Sequence, residues 1–566
     1  MPGGQTSGSV AIQSVHDGIN RLTEAQYNTS NAAGYNQTRT SYTYDGGNRP
    51  TGAQDSQGTG TVLDTVSATY DGLNDLLTDS YASSTLNATV TYTYDNDQNR
   101  KTMTAGSQAQ TTYTYDNDNR LTAEARGTQS VGVSYDADSR RTTLTLPNGV
   151  TVGYGYDADS HATGITYSST GGGTLGNLTY GYDNDGRVAT LGGSLATVNL
   201  PSAMTATYDA GNQLATWNGT AATTDGNGNL LSDPSIPGNT YTWNERNQLS
   251  SATAGGVQSS YLYDALGRRV GQTTSGLTAQ YVYDMLNVAQ EQYTGGTVAD
   301  MLPGLGLDQN FARTDSSGSY AMLADLLGST IGLVNSSGAI ATGYQYGPFG
   351  QTTTSGTSST NPIQYTGREM DATGLYFLRA RYYNPIAQRF ISPDPIGLLG
   401  GQADFYTYVF NQPMDWTDGL GLISFSVANP GSDSSTCVVG CGDSGGAPPP
   451  AIEALPSNGM NSGGSFLLAQ YNGNTREIPQ QPTPSATATP NLGSASLKQL
   501  RDIASYLEHQ VGLSPDAAAQ ELVKQGASPD LATAAANGAV WGAVQATPLG
   551  WGGPSPAVPS PVPPVP

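Results

Sequence analysis

Tyr92–Thr122 reads YTYDNDQNRKTMTAGSQAQTTYTYDNDNRLT and holds two copies of one unit. Tyr-Thr-Tyr alternates with period two, which puts both rings on one face of a strand. Asp95 and Asp116 then open tracts of Asn and Asp. Such residues hydrogen-bond their own backbone or accept a positive φ, so the chain turns there. An Arg or Gln followed by Leu or Val opens the returning strand. One unit is therefore a hairpin with a single apolar face, which it cannot bury alone.

The same unit recurs on both sides. It appears as YTYDGGNRPT at 42, YDGLNDLLTD at 70, YDADSRRTTL at 135, YDADSHATGI at 156, YDNDGRVATL at 182 and YDAGNQLATW at 208. YTWNERNQLS at 241, YLYDALGRRV at 261 and YVYDMLNVAQ at 281 close the series. A recurrence every 20 or so residues is the mark of a repeat architecture. Stacked hairpins predict a long antiparallel sheet wound continuously in chain order, and no segment of the run keeps the 3.6 period of a helical solenoid.

Composition agrees. The chain has 566 residues, 34 Tyr against 8 Phe, 72 Gly, and a formal charge of −23. Tyr couples an apolar ring to a wet hydroxyl, so the bias predicts strand faces that are neither dry nor fully exposed. The negative charge excludes a nucleic-acid partner, since no basic patch offsets phosphate repulsion. No apolar run reaches eighteen residues, so no membrane span is expected. The start, MPGGQTSGSVAIQS, lacks the charged-then-apolar profile of a secretory signal.

Gln364–Leu422 is the second landmark, the densest run of aromatics and Arg in the chain. Arg368, Arg379, Arg381 and Arg389 fall among Tyr365, Tyr376, Phe377, Tyr382, Tyr383 and Phe390. Guanidinium groups beside aromatic faces suit a buried, stacked polar core.

The Tyr-Asp units resemble the YD repeats of the RHS (rearrangement hotspot) proteins, which also occur in teneurins and in the C subunits of insecticidal toxin complexes. The resemblance covers residues 40 to 422. Asp325, Leu327, Gly328 and Ser329 match the family's D-x-L-G-S motif, with Leu323 where relatives carry a His. Tyr346, Pro348, Phe349 and Gly350 match its YxPFG turn, and GREMDATGLYFLRARYYNPIAQRFISPDPIGL matches the RHS repeat-associated core almost throughout. The resemblance implies a mainly β fold, in which YD-repeat hairpins spiral into a hollow shell closed by a core that turns inward as a plug.

The domains expected are an N-terminal partial repeat at 1–40, the repeat shell at 41–290, and the core and plug at 291–422. A disordered linker at 423–495, a small helical module at 496–545 and a Pro-rich tail at 546–566 follow. The linker has too few large apolar groups to offset its ordering entropy. In the module Leu497, Leu500, Ile503, Leu507 and Val511 share one helical face, and two Ser-Pro-Asp starts at Ser514 and Ser528 cap further helices. The tail PSPAVPSPVPPVP reads as extended polyproline.

Few constellations carry chemistry. Gly442–Gly446 spells the GDSGG of trypsin-like proteases, but the segment is low-complexity and none of His16, His161 and His509 lies in a matching motif. Cys437 and Cys441 are too few for a disulfide framework. The paired Asp residues of the repeats lack the closing Glu of a calcium loop and read as turn formers. No cofactor or metal is expected.

Asp394 opens DPIGL and Asp418 opens DGLGL. In relatives with this doubled motif the chain cuts itself just after the second copy, which by resemblance assigns the scissile bond to Leu422–Ile423 and catalysis to Asp394 and Asp418, with Arg389 orienting a carboxylate or stabilising the oxyanion. Two close carboxylates do not both ionise cheaply, so one serves as acid while the other activates water. Gly419 stands where the family has Pro, and Gly419→Pro is expected to speed cleavage by fixing φ. The reading is a shell that encloses or presents its own C-terminal segment as cargo, in a secreted polymorphic toxin system with a secretion apparatus and an immunity protein as partners. The protein would be cytoplasmic before export, then secreted or at the cell surface. The rival reading is a non-catalytic surface protein that binds surfaces or glycans.

Overall fold

The computed structural model describes residues 11–426, except 32–33, 58–59 and 198. The linker beyond 426, both cysteines, GDSGG, the helical module and the Pro-rich tail lie outside the described residues. Within them the chain is almost entirely antiparallel β, with three short 3-10 turns and no α-helix. Strands follow one another in chain order within a sixteen-stranded sheet running from Ala11–His16 to Val188–Gly192. A three-stranded sheet at Ala206–Ala221 intervenes before a fourteen-stranded sheet from Thr223–Thr224 to Thr352–Gly356. The expected winding order is present, but the single continuous sheet is not. Pairing stops after Gly192 and again between Thr220–Ala221 and Thr223–Thr224, where the strands are short and the Tyr-Asp spacing stretches.

Each element of the repeat has a defined job. At Asp116, one carboxylate oxygen accepts the Asp118 and Arg120 N–H groups at 3.0 Å, and the other accepts from the Arg120 side chain. The turn closes through Asp116 N–H to Arg120 C=O, 3.0 Å, and Asn119 takes φ 62°. That left-handed position explains the Asn, Ser or Gly found three residues after the Asp of most units. The first Tyr of the pair turns inward: Tyr42, Tyr92, Tyr113, Tyr261 and Tyr281 are buried. The second Tyr donates its hydroxyl to a carbonyl of the preceding unit. Tyr94 reaches Leu76, Tyr115 reaches Arg100, Tyr135 reaches Leu121 and Tyr156 reaches Arg141, all at 2.8–3.0 Å. In YTWNERN the indole of Trp243 makes the same bond, to Leu230 C=O at 2.8 Å. Arg120 completes the rung by covering the Tyr135 ring and donating to the Ser139 hydroxyl of the next turn.

The two large sheets press their inner faces together. Leu144, Val152, Ile165 and Leu178 of the first meet Leu302, Phe311, Leu323 and Val334 of the second. Leu323, at the place of the family's His, is one of these core residues. The inner faces carry polar groups as well as apolar ones, as the Tyr bias predicts, and three of their acids are matched by arginines across the gap. Asp55 pairs with Arg246 at 2.9 Å, Asp79 with Arg268 at 2.6 Å, and Arg100 with Asp284 at 2.7 Å.

Of the segment expected as core and plug, residues 298–356 complete the fourteen-stranded sheet and so belong with the shell, while residues 364–422 lie outside that sheet and are the part called the plug below. A four-stranded sheet, Glu369–Met370 to Arg389–Phe390, carries the aromatic core Tyr365, Tyr376, Tyr383, Phe390 and Tyr408. Arg269 of the shell is buried against Phe377, 4.2 Å from guanidinium to ring centroid, and pairs with Asp371 at 2.9 Å. No described helix is long and apolar enough to cross a membrane.

Candidate active site

The segment Gly419–Leu422 is held residue by residue. Arg379 donates from its side chain to the Gly419 carbonyl, Ala380 from its backbone N–H to Leu420 at 3.1 Å, and Arg381 from Nε to Gly421. The two turn residues between the strands Tyr376–Leu378 and Arg381–Asn384, and the first residue of the second strand, thus bind three consecutive carbonyls. Gly421 is required where it stands: its φ is +68°, and a Cβ would collide with the Leu378 carbonyl and lie 3.0 Å from Arg381 N.

Asp418 caps this segment, accepting the Leu422 N–H at 3.0 Å. The Leu422 carbonyl oxygen and the Asp394 carboxylate border one space. A side-chain carbon on Gly400 would meet Asp394 Oδ2 at 2.6 Å and Leu422 O at 3.1 Å, so both atoms border the space that Gly400 leaves empty. Leu422 is buried, and Ile423 and Phe425 pack with it against Leu286, Ile396 and Leu420.

Arg381 joins the two acids. Its Nη2 is 3.0 Å from Asp394 Oδ2 and 3.5 Å from Asp418 Oδ2, its Nη1 donates to Phe405 C=O at 2.9 Å, and its guanidinium lies 3.6 Å from the Phe390 ring centroid. Burial pushes the Asp418 carboxyl up to about 6, against the pull of Arg381, and raises Asp394 in the same way. The arrangement is two buried carboxyls joined by one guanidinium, beside the backbone of Leu422.

Arg389, expected at this site, is elsewhere. It donates to Asn212 C=O at 2.6 Å, pairs with Asp404 at 3.3 Å, and lies between the Tyr208 and Tyr406 rings. It does orient a carboxylate, but that of Asp404. The cation that reaches Asp394 and Asp418 is Arg381, because the strand Arg381–Asn384 runs beside Gly421 while Arg389 pairs across to Thr407. The sequence carried a usable signal, since Arg381 belongs to the Arg–aromatic run, but spacing alone did not rank it above Arg389.

The family model described as Teneurin YD-shell matches residues 151–414. Toxin subunit YenC1 of Yersinia entomophaga is 27% identical over 221 residues, which cover 33% of this chain and 22% of that protein. The uncharacterized protein YibJ of Escherichia coli (strain K12) is 32% identical over 167 residues, covering 27% of this chain and 69% of that protein. The crystal structure of TcdB2-TccC3-Cdc42 is similar in fold, with TM-score 0.52 and 20% identity, over 71% of this chain and 26% of the solved one. This chain therefore spans about a fifth of the matched toxin subunit and about a quarter of the solved chain. The repeat turns, the sequential sheets, the plug motifs and these matches agree: the chain belongs to the RHS/YD-repeat family, with a teneurin-like YD-shell.

Proposed function

We propose that this shell presents a variable C-terminal polypeptide and frees it by one self-cleavage, after Leu422, within a secreted polymorphic toxin system. The observation that carries the reading is the placement of Leu422: Asp418 accepts its N–H, and its carbonyl oxygen, on the acyl side of the Leu422–Ile423 bond, borders with Asp394 the same space at Gly400. Amide hydrolysis needs an acid and a base on one pre-aligned bond, and a substrate in the same chain needs alignment rather than affinity. One carboxyl of the pair, protonated, donates to the Leu422 oxygen. The other, ionised, takes a proton from water as the hydroxyl adds to the Leu422 carbon, then passes it to the Ile423 nitrogen as the C–N bond breaks. Collapse of the tetrahedral centre returns the first proton to the carboxyl that gave it. Arg381 keeps both acids in place and limits the cost of charge in the buried site.

Supporting the toxin context is a relative whose name is toxin subunit, YenC1 of Yersinia entomophaga. In this reading the C-terminal segment is the cargo, a secretion apparatus exports the protein from the cytoplasm, and an immunity protein guards the producer. The test is a denaturing gel with intact mass. The full chain is expected as fragments 1–422 and 423–566, and Asp394→Asn or Asp418→Asn as one chain. Cutting after Leu422 by Asp394→Asn overturns the assignment.

A further inference from the structure

A shell residue, Asp308, is inserted into the plug directly beneath the cleavage segment. Two plug glycines make room for it. A Cβ on Gly419 would lie 2.5 Å from Asp308 Oδ2 and 3.0 Å from Leu307 Cδ2, and a Cβ on Gly367 would collide with the Asp308 main chain. The carboxylate accepts from Arg368 and, at 2.7 Å, from Arg379 Nη2, while the Asp308 N–H donates to Asn287 Oδ1 at 2.9 Å. Arg379 in turn binds the Leu286 carbonyl at 2.9 Å and the Gly419 carbonyl. Arg379 is itself left-handed, φ 49°, a conformation that needs surrounding contacts to persist.

We propose that Asp308 is a positioning residue for the self-cleavage: seated in the notch formed by Gly367 and Gly419, it fixes Arg379, which fixes the Gly419–Leu422 segment against Asp394 and Asp418. The inference rests on the self-cleavage reading above. It gives that reaction an order. Asp308 comes from the shell turn between the strands Val298–Pro303 and Asn310–Asp315, whereas the acids, Arg379 and Arg381 belong to the plug. The site is complete only once shell and plug have joined, so an unassembled chain does not cut. It also reverses the expectation for Gly419→Pro. The added ring would displace the Asp308 carboxylate, so this substitution slows cleavage instead of speeding it.

The experiment follows appearance of fragment 423–566 during cell-free synthesis of the full chain, over a range of pH, with melting measured on each product. Asp308→Asn keeps the side chain's shape and removes its charge, and is expected to slow cleavage roughly 10- to 100-fold, the scale of a small misalignment. Its pH profile should keep its shape, since the titrating acids are intact. Gly419→Ala retains every charge and disturbs only the seating of Asp308; it is expected to slow cleavage comparably, and it decides the matter if Asp308→Asn fails to fold. Asp308→Gly with Gly419→Pro, which fills the emptied notch, should cut faster than Asp308→Gly alone. Wild-type rates in Asp308→Asn and Gly419→Ala overturn the role of Asp308 and leave the aspartate pair standing. A wild-type chain that never cuts, or an Asp394→Asn chain that still cuts after Leu422, removes the self-cleavage reading and the role of Asp308 together.

Discussion

The repeats and the plug both use Arg–carboxylate pairs, but in opposite ways. In the repeats Asp17–Arg21, Asp45–Arg49, Asp116–Arg120 and Asp136–Arg140 sit four residues apart, with side chains about a quarter exposed. They close local turns, and each one repeats its neighbour. At the plug Arg368, Arg379 and Arg381, with Arg269 of the shell, are buried and pair with carboxylates 13 to 102 positions away, and Arg368 pairs also with the adjacent Glu369. Water screens the first kind, so each contributes little; the second kind leaves a buried charge without its counter-ion when one partner goes. Redundant exposed pairs close the turns of the wall, whereas buried pairs, those of the plug and those such as Asp79–Arg268 between the sheets, each fix a single place.

The comparison breaks most readily at Arg381. Arg381→Ala should abolish cleavage on a denaturing gel and cost about 3–5 kcal/mol in urea unfolding, because two buried carboxylates lose their shared cation. If stability and cleavage both survive, the plug pairs are no different from those of the repeats. A second test uses pH. Burial raises Glu124 to about 8, Asp64 to about 7 and Asp418 to about 6. A carboxyl raised in the fold binds its proton more tightly there than in the unfolded chain. Its contribution is therefore full below about pH 4 and is lost as pH rises through the folded value. These three groups should lower the urea midpoint between pH 5 and 8, with a slope of up to about 1.4 kcal/mol per pH unit for each group in its titrating range. Glu124→Gln should flatten the upper part of that slope, and an unchanged slope would mean Glu124 is not the group responsible.

Effects in the repeats should be smaller. Tyr135→Phe removes the hydroxyl bond to Leu121 and is expected to cost about 1 kcal/mol. Arg140→Ala, which opens one turn pair, should cost about 1 kcal/mol or less, and less again in high salt. An Arg140→Ala loss as large as that of Arg381→Ala would erase the distinction.

How much was legible in the sequence follows from the same distinction. The turn of Asp116 is local: its acceptor, its donors and its left-handed residue lie within five positions, so composition and spacing suffice to read it. The rung from Tyr135 to Leu121 is still a neighbour contact and implicit in the repeat. The pairing of Asp79 with Arg268 is not, since it joins residues 189 positions apart on different sheets and no alternation announces it. Asp394 and Asp418 were found by motif, and the structure brings them to one guanidinium. Arg381 and Arg389 could not be ranked, because both lie among aromatics and only the path of two short strands separates them. Asp308 carried no signal until two glycines in the plug were seen to face it.

The hydroxyl rungs of the repeats have a consequence for how such chains change over evolutionary time. Each second Tyr addresses only the unit immediately before it, so a hairpin without a partner across the sheets can be duplicated or deleted whole and the joint re-forms between the new neighbours, whereas a unit pinned across them, as Asp79 is to Arg268, cannot. A wall of this kind can be re-cut to different lengths by recombination within the repeats. The stretch from Asp308 to Leu422 has no such freedom, because its contacts are made to single named positions. Growth and loss are thus confined to the units ahead of the plug.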